Sequence, residues 1–188
     1  MPPAMDTRLQ WRSDMLRISV LAALILTNYV IQTTLLPHIA ILGVTPDTML
    51  VLIVSYAILR NEIEGALFGL FAGLMMDIAG GMFIGIFAML GFVVGYICGK
   101  PFKDFFKDNY FLPFFVVVCI SFAHQFVLYV ITIMFAGQLE FWHYMRTIIL
   151  PKTIYTASLS IPLYGLLHFI NIRLERHERK FLNKKGLA

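Results

Sequence analysis

The amino-acid sequence predicts an all-α integral membrane protein, folded as a compact bundle of six transmembrane helices. Of its 188 residues, 59% are hydrophobic and only 14% are charged, and the mean hydropathy is +0.78. Soluble domains contain about 25% charged residues, so this chain has too few to cover the surface of a globule in water. The charged residues also cluster between long apolar runs, as in proteins that cross a bilayer. A soluble single domain is therefore excluded.

Six apolar runs give the predicted spans. A helix needs about 20 residues to cross the hydrocarbon core of a bilayer, which is about 30 Å thick. The spans are predicted at residues 18–36, 47–60, 64–78, 82–98, 111–135 and 153–172. Together they form one transmembrane domain over residues 18–172, between an N-terminal segment at 1–17 and a basic tail at 173–188.

The first three runs differ in length. The first is uncharged over 19 residues and stops before Pro37, and it is too long for the apolar region of a signal peptide. The second follows the helix-start signal Thr45-Pro46-Asp47. The apolar parts of the second and third runs have 12 residues each, about 18 Å of helix. These two helices either include polar residues at their ends or form a hairpin that does not fully cross.

The last three runs are longer, and two of them contain proline. The fourth has 17 residues and the fifth has 25. Pro113 lies in the first turn of the fifth, where a missing N–H is tolerated. Pro162 lies inside the sixth and is expected to kink it, because proline removes a backbone hydrogen bond.

The distribution of basic residues predicts the orientation. If the N-terminus is cytoplasmic, 13 of the 15 Lys and Arg residues fall in cytoplasmic segments, and only Arg146 and Lys152 lie outside. Cytoplasmic segments of membrane proteins carry such an excess. Both termini are therefore predicted to be cytoplasmic. The same short basic clusters indicate contact with anionic lipids and not with nucleic acid.

Residues 138–150, between the fifth and sixth spans, have an interfacial character. Trp142, Met145 and Ile149 recur there at helical spacing. The pattern predicts a helix that lies on the outer membrane surface. Two roles remain open for it: aromatic anchoring at the depth of the headgroups, or a surface for a partner.

Glycines recur every four positions in the third and fourth spans. The series are Gly65, Gly69 and Gly73, continued by Asp77, in the third span, and Gly91, Gly95 and Gly99 in the fourth. This spacing places each series along one helix face. Apolar side chains gain little by leaving lipid for another helix, so close backbone approach at small residues supplies the packing energy. The series predict either tight packing of the third helix on the fourth, or a face that holds a partner's helix.

Two aspartates lie at the predicted outer ends of the second and third helices. Asp47, next to Pro46, opens a helix, where its carboxylate is favoured by the free N–H groups. Asp77 ends a helix, where the dipole disfavours an anion. Asp77 is therefore expected to reach the start of the fourth helix or a cation supplied by a partner.

Little in the sequence indicates catalysis. It has no Walker, HExxH or GxSxG motif, and its five histidines are scattered. No metal site and no cofactor are predicted. His124 and Gln125 are deep in the fifth span, and Asn28 and Gln32 share one face of the first. Isolated polar residues inside a membrane more often form hydrogen bonds between helices than take part in catalysis. One hypothesis is therefore that the polar residues of the first span bond to those of the fifth.

The order and spacing of these features resemble the rod shape-determining protein MreD family. The resemblance rests on Pro46-Asp47, the apolar run at 48–59, the series Gly65, Gly69, Gly73 and Asp77, and a glycine-rich fourth helix. It implies a non-enzymatic scaffold in the bacterial plasma membrane that organises peptidoglycan synthesis and cell shape. The partners it implies are a single-span MreC-like protein and, indirectly, the actin-like MreB and the elongation glycosyltransferase and transpeptidase.

An alternative is the vitamin-binding subunit of an energy-coupling-factor transporter, which the length and the six short helices also resemble. Such subunits usually carry an Ala-x-x-x-Ala motif on the first helix, and this chain reads Leu21-Ala-Ala-Leu-Ile there. A ligand site would need convergent polar groups. The candidates for these are Asp47, Asp77, Trp142 and His143.

Overall fold

A computed structural model describes residues 7–41, 43–80, 84–99, 111–136 and 141–183, and nearly all of them are helical. The helices are α1 (Thr7–Val30), α2 (Thr48–Leu59), α3 (Glu62–Gly80), α4 (Ile86–Gly99), α5 (Phe111–Ala136), α6 (Phe141–Tyr144) and α7 (Leu150–Asn183). Within these ranges there is no strand, only an isolated bridge between Ile41 and Val44 around Gly43, whose φ is +76°. The all-helical prediction is confirmed.

Three helical stretches among the described residues are long and apolar enough to cross a membrane: Arg17–Ile39, Pro113–Ile131 and Phe141–Arg173. The chain is thus a membrane protein by the length and composition of its helices. Helices α2 and α4 are apolar but shorter. Helix α3 has 19 residues and carries Glu62, Glu64 and Asp77.

Helix α2 forms the centre of the bundle. Every residue from Thr48 to Ile58 is buried, and α1, α3, α4, α5 and α7 all contact it. A helix that is apolar on all sides is expected in such a position. Hydrogen bonds within the helix and side-chain acceptors at its start satisfy its backbone N–H groups without lipid contact. This explains how a helix of only 12 residues is accommodated.

The helices alternate in direction, so the bundle has two ends. The Asp47 end contains the starts of α2, α4 and α7 and the C-terminal end of α3, where Asp77 lies. The Arg60 end contains the C-terminal end of α2, the start of α3 and Gly99 of α4, together with Arg17 and Asn171.

Two prolines lie within continuous helical stretches. The first helix continues past residue 36 through a π-helical turn, Ile31–Leu35, and a 3-10 turn, Leu36–Ile39, that contains Pro37. Likewise, a π-helical turn at Met145–Ile149 joins α6 to α7 just before Pro151. Proline clashes with the carbonyl group four residues earlier, and in both cases that residue lies in the π-helical turn. The altered backbone pattern lets the helix continue.

Other helix limits differ from those of the predicted spans. Helix α1 begins at Thr7, well before residue 18, and α7 runs through Pro162 to Asn183, into the predicted tail. Helix α4 begins at Ile86 and not at residue 82.

Candidate functional site

The glycine series bring the backbones of α3 and α4 into contact. A Cβ atom added to Gly69 would overlap the carbonyl oxygen of Gly91, and one added to Gly91 would overlap the carbonyl oxygen of Gly69. Gly65 has the same relation to Gly95. We call this contact the glycine seam: Gly65, Gly69, Gly73, Gly91, Gly95 and Gly99.

The seam extends along the whole length of the two helices. A Cβ on Gly73 would overlap the carbonyl of Phe87, near the start of α4. At the other end, a Cβ on Gly99 would lie 2.5 Å from the Cα of Glu62, at the start of α3. Helix α2 closes the inner side, because Ala57 and Ile53 lie against Gly65 and Gly69. The sequence left two roles open for these glycines, and in the structure they pack α3 tightly on α4.

Asp77 caps α4 from the end of α3. Its Oδ1 accepts a hydrogen bond from the N–H of Phe87 (3.1 Å), and its Oδ2 accepts one from the N–H of Ala88 (2.9 Å). The side chain is 2% exposed. The free N–H groups and the dipole of α4 favour this anion, which outweighs its position at the C-terminal end of α3. Of the two expectations for Asp77, contact with the start of the fourth helix is the one found in the structure.

Asp47 is the N-cap of α2, and Pro46 beside it is fully buried. The Asp47 Oδ1 accepts a hydrogen bond from the N–H of Leu50 (3.0 Å). Its own N–H donates to the Thr156 hydroxyl of α7 (3.0 Å). Capping therefore accounts for this carboxylate, and the same turn ties α2 to α7.

The polar residues of α1 do not pair with those of α5, so that hypothesis is wrong. The Gln32 Oε1 instead accepts hydrogen bonds from the Thr48 hydroxyl (3.1 Å) and the Met49 N–H (2.9 Å). The Asn28 Nδ2 donates to the Met49 sulfur at 3.5 Å. Both residues thus bind the first turn of α2, where backbone N–H groups lack partners within the helix.

Helices α5 and α7 contact each other, and each carries a series of buried polar side chains. The series on α5 consists of Ser121, His124, Gln125 and Tyr129, and that on α7 of Thr153, Thr156 and Ser160. Several of their atoms make no hydrogen bond within the described protein: Ser121 Oγ, His124 Nδ1, Gln125 Nε2, Tyr129 Oη and Thr153 Oγ1. The hydroxyl groups among them were not predicted from the sequence. Their spacing by three, four or eight residues along one helix face was the available signal.

The predicted interfacial surface is only partly exposed. Trp142 is 72% exposed, Met145 is half-buried and Ile149 is fully buried. The segment is the first part of the long helix that includes α7, and aromatic contacts hold it on α5: the Tyr129 ring lies 5.4 Å from Phe141 and 4.8 Å from Tyr144. The prediction that Ile149 shares an exposed surface with Trp142 is wrong, because the Ile149 side chain is packed inside the bundle.

Groups that could perform chemistry do not converge in the part of the chain described. No three His, Cys, Asp or Glu side chains there lie close enough to hold a metal ion. Two small clefts are present, one between α5 and α7 and one between α1, α2 and α7. Neither is lined by Asp47, Asp77, Trp142 or His143.

Comparison with known proteins identifies the family. The model of the rod shape-determining protein MreD matches residues 13–171, which is nearly the whole chain. The chain belongs to the MreD family. Membership of the MreD family implies a role in the determination of rod shape, and MreD proteins are not a known family of enzymes. Comparison with curated proteins and with solved structures gives no significant match.

Substitution of Gly69 by alanine tests the seam. Alanine favours a helix by up to about 1 kcal/mol relative to glycine. Here the added Cβ overlaps backbone, so we expect a net loss of about 1–3 kcal/mol, seen as a lower melting temperature in detergent. Gly165→Ala in α7 is the matched control, because nothing lies within 4 Å of its Cβ position. A gain in stability with both variants would contradict the closed seam.

Substitution of Asp77 by alanine tests the cap. It leaves two N–H groups of α4 without their acceptor, which we expect to cost about 1–3 kcal/mol of unfolding free energy. Asp77→Asn keeps one carbonyl oxygen and should lose less. Asp47→Asn is the comparison variant, because asparagine is as good an N-cap as aspartate. Equal stability of Asp77→Ala and the wild type, measured by denaturation in detergent, would show that the cap is dispensable.

Proposed function

We propose that this protein is a non-enzymatic scaffold of the bacterial rod-elongation machinery, located in the plasma membrane. It would bind a single-span MreC-like protein and so help organise MreB and the enzymes that extend peptidoglycan. The observation that carries the proposal is the MreD family match over residues 13–171. The geometry supports it, since the described residues form many packing contacts and gather few reactive groups.

The closed seam limits where a partner's helix can bind. The glycines that would permit close approach are already in contact with each other, so a partner would use an outward face. Such faces are available: Phe71 of α3 is 60% exposed and Phe92 of α4 is 41% exposed. Exposed apolar faces of a membrane protein contact either lipid or the helix of another protein. In a scaffold, some of these faces would contact lipid and at least one would contact a partner's helix.

We also propose that the Arg60 end of the bundle is cytoplasmic, with both termini on that side. The support is the positive-inside distribution of charge. Arg17, Arg60 and Arg173 lie toward this end, whereas Arg146 and Lys152 lie toward the Asp47 end. The transporter alternative gains no support, because the polar residues it requires line neither of the two clefts.

Site-specific photocrosslinking in cells tests the scaffold function. A photoreactive residue is placed at one exposed position on each helix in turn: Leu26, Phe71, Phe92, Phe115 and Phe169. We expect a single-span membrane protein to be crosslinked from one face only, because a single helix covers one side of the bundle. The buried position Val51 is the control and should give no crosslink.

Two outcomes would contradict the proposal. One is the absence of any crosslinked protein at all five exposed positions. The other is copurification of an ATPase module together with a bound vitamin, which would favour the transporter alternative.

A further inference from the structure

The cleft between α1, α2 and α7 at the Arg60 end has a distinct chemical character. It is small and open to the surroundings. Three polar residues lie at its outer end: Arg17, Arg60 and Asn171. The other lining residues are apolar except for Tyr56: Leu21, Leu24, Leu59, Leu167 and Ile170.

The polar and apolar residues are separated along the cleft. On α1, Arg17 is followed by Leu21 and Leu24, so the wall becomes apolar within about 10 Å of helix. On α7, which runs in the opposite direction, Asn171 is preceded by Ile170 and Leu167. Both walls therefore pass from polar at the end of the bundle to apolar toward its middle. A phospholipid has the same order of headgroup and acyl chain.

The charges favour an anion at the polar end. Arg60 follows the last residue of α2, and its side chain is only 12% exposed. Its Nε lies 3.9 Å from the Glu64 carboxylate, makes no hydrogen bond and is buried. The Tyr56 hydroxyl donates to the same carboxylate (3.3 Å). The guanidinium groups of Arg17 and Arg60 both line this end of the cleft, and guanidinium groups form charge-assisted hydrogen bonds with phosphate oxygens.

We propose that this cleft binds one anionic phospholipid, with the phosphate at Arg17 and Arg60 and an acyl chain along Leu21, Leu24 and Leu167. The lipid lies in the cleft against all three helices. Such a contact suits α1, since only 11% of its apolar, membrane-spanning stretch is buried within the protein. The bound lipid thus connects α1 to α2 and α7 at the Arg60 end, as Gln32 connects α1 to α2 at the Asp47 end.

Native mass spectrometry of the purified full chain tests the proposal. The protein is mixed in detergent with phosphatidylglycerol or with phosphatidylethanolamine of the same acyl chains. We expect one phosphatidylglycerol to be retained, and the Arg17→Gln/Arg60→Gln variant to lose about tenfold in affinity or more, because charge-assisted hydrogen bonds to the phosphate are removed. Arg173→Gln is the matched control: Arg173 lies on another face of α7, over the Phe169 ring at 5.3 Å.

Several results would overturn the proposal. Unchanged retention by the double variant, or an equal loss with Arg173→Gln, would mean that the cleft does not hold the lipid. Equal retention of phosphatidylethanolamine would remove the role of charge. Displacement of the lipid by millimolar inorganic phosphate would identify a site for free phosphate instead.

If the double variant does not fold, photolabelling of the wild-type protein tests where the lipid binds. Phosphatidylglycerol with a photoreactive group at the end of its acyl chain should label peptides that contain Leu24 or Leu167. Phe92, on the exposed face of α4, should remain unlabelled. Uniform labelling of all exposed faces would show that lipids contact the protein without a specific site.

Discussion

Backbone contact between α3 and α4 is the constraint on which the rest of the bundle depends. In lipid, side chains gain little from helix association, so the two helices associate by approaching closely where side chains are absent. That approach brings the Asp77 carboxylate within hydrogen-bond distance of the first turn of α4. It also forms a narrow surface against which α2 packs, through Ile53 and Ala57. The central helix can be short because this pair and the other helices enclose it.

Much of this arrangement could be predicted from the sequence, because it depends on local pattern. The four-residue spacing of the glycines indicated the seam, and Thr45-Pro46-Asp47 indicated the start of α2. The effect of proline was less predictable. The first span was predicted to stop before Pro37, but a π-helical turn lets the helix continue past it, and a similar turn precedes Pro151. A local rule for proline does not include the tertiary contacts that hold such a turn in place.

Partner choice among polar residues was the least predictable feature. Helical spacing placed Asn28 and Gln32 on one face, but spacing does not say which helix that face meets. The structure pairs Gln32 with the backbone of α2, because unsatisfied N–H groups at a helix start are strong donors. The buried hydroxyl groups of α7 were missed for a related reason. The Thr156 hydroxyl accepts a hydrogen bond from the N–H of Asp47, which is 109 residues away in the chain, and spacing along α7 does not reveal such a contact.

The proposed scaffold would offer partners only its outward faces, because its glycines contact each other. This proposal depends on the seam being closed in the protein alone. Solid-state NMR of the protein in bilayers, labelled with ¹³C at the glycine Cα atoms, measures this directly. We expect through-space contacts between Gly69 and Gly91 and between Gly65 and Gly95 without any partner present. Absence of these contacts, or their appearance only after a partner protein is added, would contradict the proposal.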